Sequence, residues 1–579
     1  MIEILIVFGL AIGLGWPLGH YLARVMRGGP APFDRVFGPL ERAIYRVLGI
    51  DGRRGMSWKG YAKAFVLSNL VLGLVVWLQF MMQAWLPLNP DHAPNMSWDL
   101  ALHTMVSFLT NTNQQHYSGQ AQLSYLSQMI GIVGLQVITP MMGLAIVVAT
   151  LRGLFGGREQ MAAETATAGA DHEEGAERDV GNYWVDVTRA TLRFFLPLAL
   201  MWTVLLASQG VPATLHGGPS FTPLDSSVEM KTQHIPLGPV APMVAVKQLG
   251  TNGGGWYGPN SAVPLENPTP LSNLLETLAI ILIPVAVTFM VGPFTGRRKL
   301  TALVFGSMLL MSALSTGAAV WSEAHSSTSH DIALMEGKET RFGASDSALW
   351  AALTTQTSNG SVDSMHDSLA PLTGGVAIAN MLINAIWGGV GCGLQQFLVY
   401  LLLAAFLAGL MTGRTPELFG RKIEAPEIRL LALLILLQPF VVLGLTALTV
   451  ALPQFTGNSN PGFHGISQVF YEYTSAFANN GSGFEGLGDG TPWWNLTCVV
   501  ALILGRYSAL IVPLWVAGLM AKKRVAPETS GMLQAETPTF ALTLVSVIVV
   551  LTVLQFMPAL VLGPLGEHLT LTAAIAAIP

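Results

Sequence analysis

A short polar theme recurs four times in this chain, each time between long apolar segments. The copies are Thr110-Asn111-Thr112-Asn113, Thr251-Asn252-Gly253-Gly254, Ser358-Asn359-Gly360-Ser361 and Asn479-Asn480-Gly481-Ser482. Each follows an amphipathic stretch too brief to cross a bilayer, and each precedes a long apolar run. A single Asn-Gly is an ordinary turn signal. Four copies at equivalent places restrict the chain to an internally repeated membrane fold, with four loops re-entering the membrane around one axis. That geometry suits an ion pathway.

Composition agrees. Of 579 residues, 51% are hydrophobic and 11% charged, against about 25% charged in a soluble domain. The net charge of −5 and the absence of a basic stripe with interleaved aromatics exclude a nucleic-acid partner. Cys392 and Cys498 lie in or beside apolar runs and read as small buried residues. The first apolar run has Glu3 before it and Arg24 and Arg27 after it. A signal peptide carries its positive charges ahead of the apolar core, so this run is expected to remain a membrane helix.

Runs able to cross a hydrocarbon core of about 30 Å fall near 3–25, 62–85, 122–150, 187–208, 272–293, 300–321, 377–410, 429–452, 494–520 and 540–562. The fold class expected is therefore an all-α polytopic membrane protein with ten transmembrane helices. Basic residues orient it. Loops 24–63, 151–193, 294–300, 412–429 and 521–539 hold 24 of the 29 Lys and Arg; the alternate loops hold Lys231, Lys247, Lys338 and Arg341. By the positive-inside rule, both chain ends and all four themes are expected on the outer side.

The spans sort into four units of helix, short re-entrant helix, loop and helix, with the first and tenth spans as additions. The expected organisation is a first helix with a cytoplasmic interfacial segment (1–60), units at 61–151, 187–293, 299–411 and 428–520, a cytoplasmic loop at 152–186 and a tenth helix at 540–563. Candidate short helices are Ser97–Leu109, Pro239–Leu249, Ser345–Thr355 and Gly465–Phe477. Each is roughly 15–20 Å long, enough to enter a membrane but not to cross it. Pro32–Ile50 alternates apolar and basic residues and reads as an interfacial helix, with partner docking as the alternative. The segment 157–181, rich in Ala, Gly and acids, reads as a flexible cytoplasmic loop.

Potassium entering a protein must exchange water for oxygens of modest field, which backbone carbonyls supply. Turning successive carbonyls inward needs backbone angles that glycine accepts, and Gly253, Gly254, Gly255, Gly360, Gly481 and Gly483 are expected to provide them. Thr110, Thr112, Thr251, Ser358 and Ser482 add hydroxyls. Asn111, Asn252, Asn359 and Asn480 either brace the loops from behind or line them. No carboxylate occupies any theme, which disfavours a divalent-cation site there. All sixteen theme residues, including Asn113, Ser361 and Asn479, are candidate filter positions.

Gly388-Gly389-Val390-Gly391-Cys392-Gly393 interrupts the seventh span. Such breaks occur where protein shields the backbone or where it lines a cavity. Gly389 and Gly391 are expected in a gate-like constriction, with close helix packing as the alternative. Arg506, inside the ninth span, is expected as an electrostatic barrier or tethered cation below the filter, or as a partner of helix-end carbonyls. Gln115 and His116 are placed in the vestibule, and Met365-His366-Asp367 as a loop brace. No phosphate-binding loop, Asp-Lys-Thr phosphorylation motif or paired catalytic groups at one depth are found. Neither ATP hydrolysis nor an intramembrane enzyme is expected of this chain.

These residues resemble a known family, the potassium-binding subunit of the Kdp-type potassium-transporting ATPase. The matching stretches are Thr110–Asn113, Gly250–Trp256 with Glu266–Thr269, Met335–Gly343, Met365–Ser368, Gly388–Gly391, Gly409–Glu417 and Ala478–Gly483. They occur in family order across nearly the whole chain. The resemblance implies membership of the potassium-transporter superfamily and potassium as the ion, with no organic cofactor. It also implies three partners: a P-type ATPase catalytic subunit that hydrolyses ATP, a single-span accessory subunit and a small membrane peptide. Potassium would pass from the filter through an intramembrane tunnel into the ATPase subunit, in the inner membrane of a bacterium and in contact with its lipid. Two departures stand out: Thr112 where the other themes have glycine, and Gln114 where some relatives have an aromatic. An autonomous potassium channel or symporter of the same superfamily is the alternative function.

Overall fold

The structure is a computed structural model, which describes residues 2–52, 54–156, 179–225, 230–326, 335–526 and 534–576. The segment 157–178, most of the expected cytoplasmic loop, lies outside them. Ten helices are long and apolar enough to cross a membrane: Ile2–Met26, Trp58–Trp85, Ser127–Phe155, Tyr183–Ser208, Pro270–Thr295, Arg298–His325, Cys392–Met411, Ala425–Val450, Pro492–Ala521 and Pro538–Ala573. Strand structure among the described residues is limited to two antiparallel hairpins of two-residue strands, Ser220–Phe221 with Gln233–His234 and Glu417–Leu418 with Arg421–Lys422. The chain is a multi-pass membrane protein of all-α class.

Local chemistry sets the helix ends. Ser57 caps the second span by accepting from Gly60 N, and Thr269 forms a capping box with Ser272 at the fifth. Prolines at 270, 492 and 538 stand in first turns, where a missing N–H costs nothing. The first span packs on the fifth through glycines: a Cβ on Gly19 would lie 2.4 Å from the Ala286 carbonyl oxygen. Only small residues permit that approach.

Three spans depart from expectation. The third begins at Ser127 rather than near 122, because Gln83 pins the preceding backbone: its Nε2 donates to Gln122 O (2.6 Å) and its Oε1 accepts from Ser124 N (3.1 Å). The tenth is not one continuous helix: Pro538–Leu560 runs into a kink at Gly563 (φ −105°, ψ −108°), and a second helix follows at Gly566–Ala576. The seventh is two helices, Pro371–Ile383 and Cys392–Met411. Asn384, at φ 47°, ends the first in the left-handed conformation that stops helices.

Four shorter helices precede the four themes: Trp98–Leu109, Val240–Leu249, Ala344–Gln356 and Gly462–Ala478. A helix also forms at Asp34–Leu48, leaving Val36, Leu40, Val47 and Leu48 exposed. Asp34 and Glu41 on it hold the Arg193 guanidinium.

Candidate functional site

Each short helix ends in one repeated turn. The amides of Thr112, Asn252, Asn359 and Asn480 bond back to the carbonyls of Ser107, Lys247, Thr354 and Ser475, five residues earlier in every case. Positive φ recurs at Asn111, Thr251, Ser358 and Asn479, and again two residues later at Asn113, Gly253, Gly360 and Gly481. This register corrects the sequence alignment of the first theme by one residue. Asn113, not Thr112, stands at the glycine position, and Thr112 stands where the other themes have asparagine. Asparagine tolerates the left-handed region better than other side chains, which makes the substitution possible.

The glycines also make contacts between units. A Cβ on Gly253 would lie 2.0 Å from Asn359 O, on Gly360 1.9 Å from Asn480 O, and on Gly481 2.0 Å from Thr112 O. The second theme thus abuts the third, the third the fourth, and the fourth the first. Asn113 closes the circle by donating from Nδ2 to Gly253 O at 2.8 Å. Gly254 has positive φ as well, whereas Gly255 and Gly483 do not. Those two serve close packing instead, against Tyr257 O and the Glu472 carboxylate.

The theme asparagines brace the ring from behind. Asn359 Nδ2 donates to Lys247 O (3.0 Å), and Asn480 Nδ2 makes the equivalent bond to Thr354 O (2.8 Å), each reaching the preceding unit. Asn252 Nδ2 donates to Asn111 Oδ1 (2.7 Å), which also accepts from Thr139 (2.9 Å). Asn479 reaches Thr112 Oγ1 at 3.1 Å. The hydroxyls have protein partners too: Thr110 and Thr112 bond each other (2.8 Å), Ser361 bonds Gln248 Oε1 (2.8 Å) and Ser482 bonds Tyr471 (2.8 Å).

A buried polar network that the sequence reading missed supports the second unit. Lys247, on the second short helix, ion-pairs with Glu266 and donates to Ser261 Oγ (2.8 Å). Ser261 and Gln248 in turn bond Glu276, at 2.7 and 2.8 Å. A lysine amid apolar residues of a re-entrant helix was the available signal; its partner lies 19 residues away in a loop.

Below the ring, the break at 384–391 contacts two themes. Val390 N donates to Thr251 Oγ1 (2.9 Å), Ser358 Oγ bonds Asn384 Oδ1 (2.8 Å), and a Cβ on Gly389 would touch Thr251 and Ser358. Gly391, at φ 84°, packs on Gly143, where a Cβ would clash at 2.3 Å. The buried Arg506 donates to Thr139 O (3.2 Å) and Cys392 Sγ (2.7 Å). No carboxylate among the described residues lies within ion-pair distance of it. Protein thus shields the broken backbone, as a break at membrane depth requires.

Above the ring lies a cavity of about 380 Å³ lined by Asn113, Gln115, Gly254, Gly360, Gly481 and Glu485, among others. Gln115 ties the first loop to the second through Gly255 N (2.8 Å) and Gly255 O (3.0 Å). Gln114 turns away to Glu472 and His103. Enclosure by the cavity walls pushes the Glu485 carboxyl up to about 8 and Asp489 up to about 6, His116 opposing the latter shift. Met365-His366-Asp367 braces this region: His366 Nδ1 pairs with Tyr471 OH (2.8 Å), and Asp367 Oδ1 with His464 (2.9 Å) and Gln468 (2.8 Å). The fold also assembles His116, Glu472 and Cys498 into one cluster. Nothing in the linear order of residues points to it, because the three stand far apart along the chain.

A closed circle of re-entrant loops, built by one chain among ten apolar spans, defines a class: multi-pass membrane proteins with an internally repeated pore-like core. Within that class the sequence is specific. Residues 5–569 match the profile described as KdpA, the potassium-transporting ATPase A subunit, and the chain belongs to that family. A "potassium-transporting ATPase potassium-binding subunit" of Gloeobacter violaceus is 43% identical over 563 residues, covering 95% of this chain and 94% of that protein. One of the same description from Pseudomonas putida is 43% identical over 577 residues, 98% of each chain. Among solved structures, the potassium transporter TrkH from Vibrio parahaemolyticus aligns over 87% of this chain and 97% of its own, with 15% identity and a TM-score of 0.48.

Proposed function

We propose that this chain is the potassium-binding, non-catalytic subunit of an ATP-driven importer, with the four-loop ring as its selectivity filter. The observation that carries the reading is the ring itself. Three glycines and Asn113 hold equivalent positive-φ positions, and each of the three glycines admits a backbone oxygen of the next loop within contact. Carbonyls held by a closed circle of hydrogen bonds suit an ion that must be stripped of water. The partial negative charge at the C-terminal ends of the short helices adds attraction.

In this reading potassium collects in the outer vestibule, beside Gln115 and Glu485, and enters the ring formed by the sixteen theme residues, where backbone carbonyls replace its water. The Gly389–Gly391 break narrows the path beneath. Arg506 then makes straight passage to the cytoplasm costly for a cation, so the ion leaves sideways through an intramembrane tunnel. The names of the relatives support a partner ATPase chain; a single-span subunit and a small peptide complete the assembly proposed. The complex would occupy a bacterial inner membrane with both ends of this chain outside.

The test is potassium uptake at micromolar external potassium in cells lacking their own high-affinity uptake. Uptake is expected only when the chain is co-expressed with its ATPase partners, and is expected to be lost in Gly253→Asp at unchanged membrane expression. Net uptake by the chain alone would instead make it a channel or symporter. Wild-type affinity in Gly253→Asp would remove the second loop from the filter.

A further inference from the structure

Beside the vestibule, His116, Glu472 and Cys498 bring an imidazole nitrogen, a carboxylate oxygen and a sulfur within 4.8 Å of one another, all three residues buried. They come from three elements: the loop after the first theme, the fourth short helix and the ninth span. None contributes to the ring, and none is needed for the ion path proposed above.

The tautomer of His116 is fixed by its surroundings. Asn495 Nδ2 donates to Asp99 Oδ2 at 2.9 Å, so Asn495 Oδ1 is the atom that faces His116 Nδ1, at 2.8 Å. An amide oxygen only accepts, so Nδ1 carries a proton and donates. The other nitrogen, Nε2, points at Glu472 Oε1 (3.3 Å), with Asp489 Oδ2 at 3.9 Å. A histidine that donates its far nitrogen into a polar chain while aiming the near one at carboxylate oxygens is oriented as metal-binding histidines are. His103 stacks on the ring at a centroid separation of 3.8 Å and limits its rotation.

We infer that His116, Glu472 and Cys498 form a binding site for a thiophilic divalent cation of the zinc class, with Asp489 as the fourth ligand. Nitrogen, oxygen and sulfur together match that class, whereas potassium and magnesium take oxygen alone. Bond lengths of about 2.0–2.3 Å place tetrahedral ligands roughly 3.3–3.8 Å apart. The His116–Glu472 pair already meets this spacing, and the sulfur has about an ångström to close. His116, Glu472 and Asp489 all line the vestibule cavity, which gives the ion its route. On binding, the Cys498 thiol proton, and any proton on Nε2, leaves to vestibule water as the thiolate and the free nitrogen coordinate.

The test uses the purified complex and zinc or cobalt alone as probes, and needs no transport measurement. One zinc per chain is expected to survive desalting, and cobalt is expected to give a thiolate-to-cobalt charge-transfer band. Cys498→Ser, Cys498→Ala and His116→Gln should each weaken retention at least tenfold and abolish the band, while Cys392→Ser keeps both. The inference is overturned if no zinc is retained, if retention is equal in the Cys498 and His116 variants, or if cobalt binds without a sulfur band. Because the readout is metal content, failure here leaves the potassium reading standing, and loss of uptake in Gly253→Asp does not bear on it.

Discussion

Asn113 occupies, at φ 56°, the position that Gly253, Gly360 and Gly481 occupy in the other units. Its side chain earns that place with the bond to Gly253 O. Asn113→Gly keeps the backbone freedom and loses one hydrogen bond, a change of about 0.5–1.5 kcal/mol. Potassium affinity is then expected to fall by about tenfold at most. Asn113→Val puts a β-branched residue where φ must be positive, and a larger loss is expected; isotope binding to the purified complex separates the two. Equal effects would return Thr112 to the glycine register. Glu485 argues from charge instead. Its carboxyl, pushed up to about 8 by enclosure although it still faces vestibule water, is neutral below that pH and anionic above. A unit charge roughly 10 Å away through water changes the energy of a cation by about 0.4 kcal/mol. The half-saturating potassium concentration should therefore fall about twofold between pH 7 and 9, and the step should vanish in Glu485→Gln.

At the scale of elements, the spans were legible because apolar length and basic-residue sidedness are properties of continuous sequence. The short helices were legible to within a few residues for the same reason. What stayed hidden was non-local. Thr110-Asn111-Thr112-Asn113 matches Thr251-Asn252-Gly253-Gly254 by residue type, yet the bond from Thr112 N to Ser107 O sets the register one residue away. The partners of Lys247 and the cluster around Cys498 come together only when helices pack. The break in the seventh span was legible from its glycines, while its role in seating Thr251 and Ser358 was not. One packing contact gives a prediction of its own. His464, at the start of the fourth short helix, joins Asp367 Oδ1 and Glu567 Oε1, each at 2.9 Å, and so ties the third unit to the tenth span. Burial works against protonation, but the two carboxylates win and raise the imidazole to about 9, from about 6.5 when free. A raised folded pKa stabilises fully below about 6.5, and the contribution disappears as pH rises through 9. The melting temperature of the wild type should exceed that of His464→Gln by a few degrees at pH 6, with the gap closing by pH 10.

At the scale of the whole molecule, the ring brings all four units into contact. Asn359 and Asn480 each reach into the preceding unit, the fourth loop abuts the first, and Asn113 reaches the second. An ion held there joins four segments that are more than a hundred residues apart in sequence. Anything that binds only the folded state stabilises it, by about 2.7 kcal/mol at a hundred times Kd. Unfolding entropy of about 2.1 cal/mol/K per residue, over 579 residues, turns this into an upward shift of roughly two degrees. Potassium chloride should therefore raise the melting temperature of the purified complex, and sodium or choline chloride at equal ionic strength should not. Gly253→Asp should lose the potassium increment, and in choline it should melt below wild type because its Cβ would meet Asn359 O. An equal rise with sodium would mean that the ring binds cations without discriminating among them, because a filter that strips water from potassium must fit sodium less well.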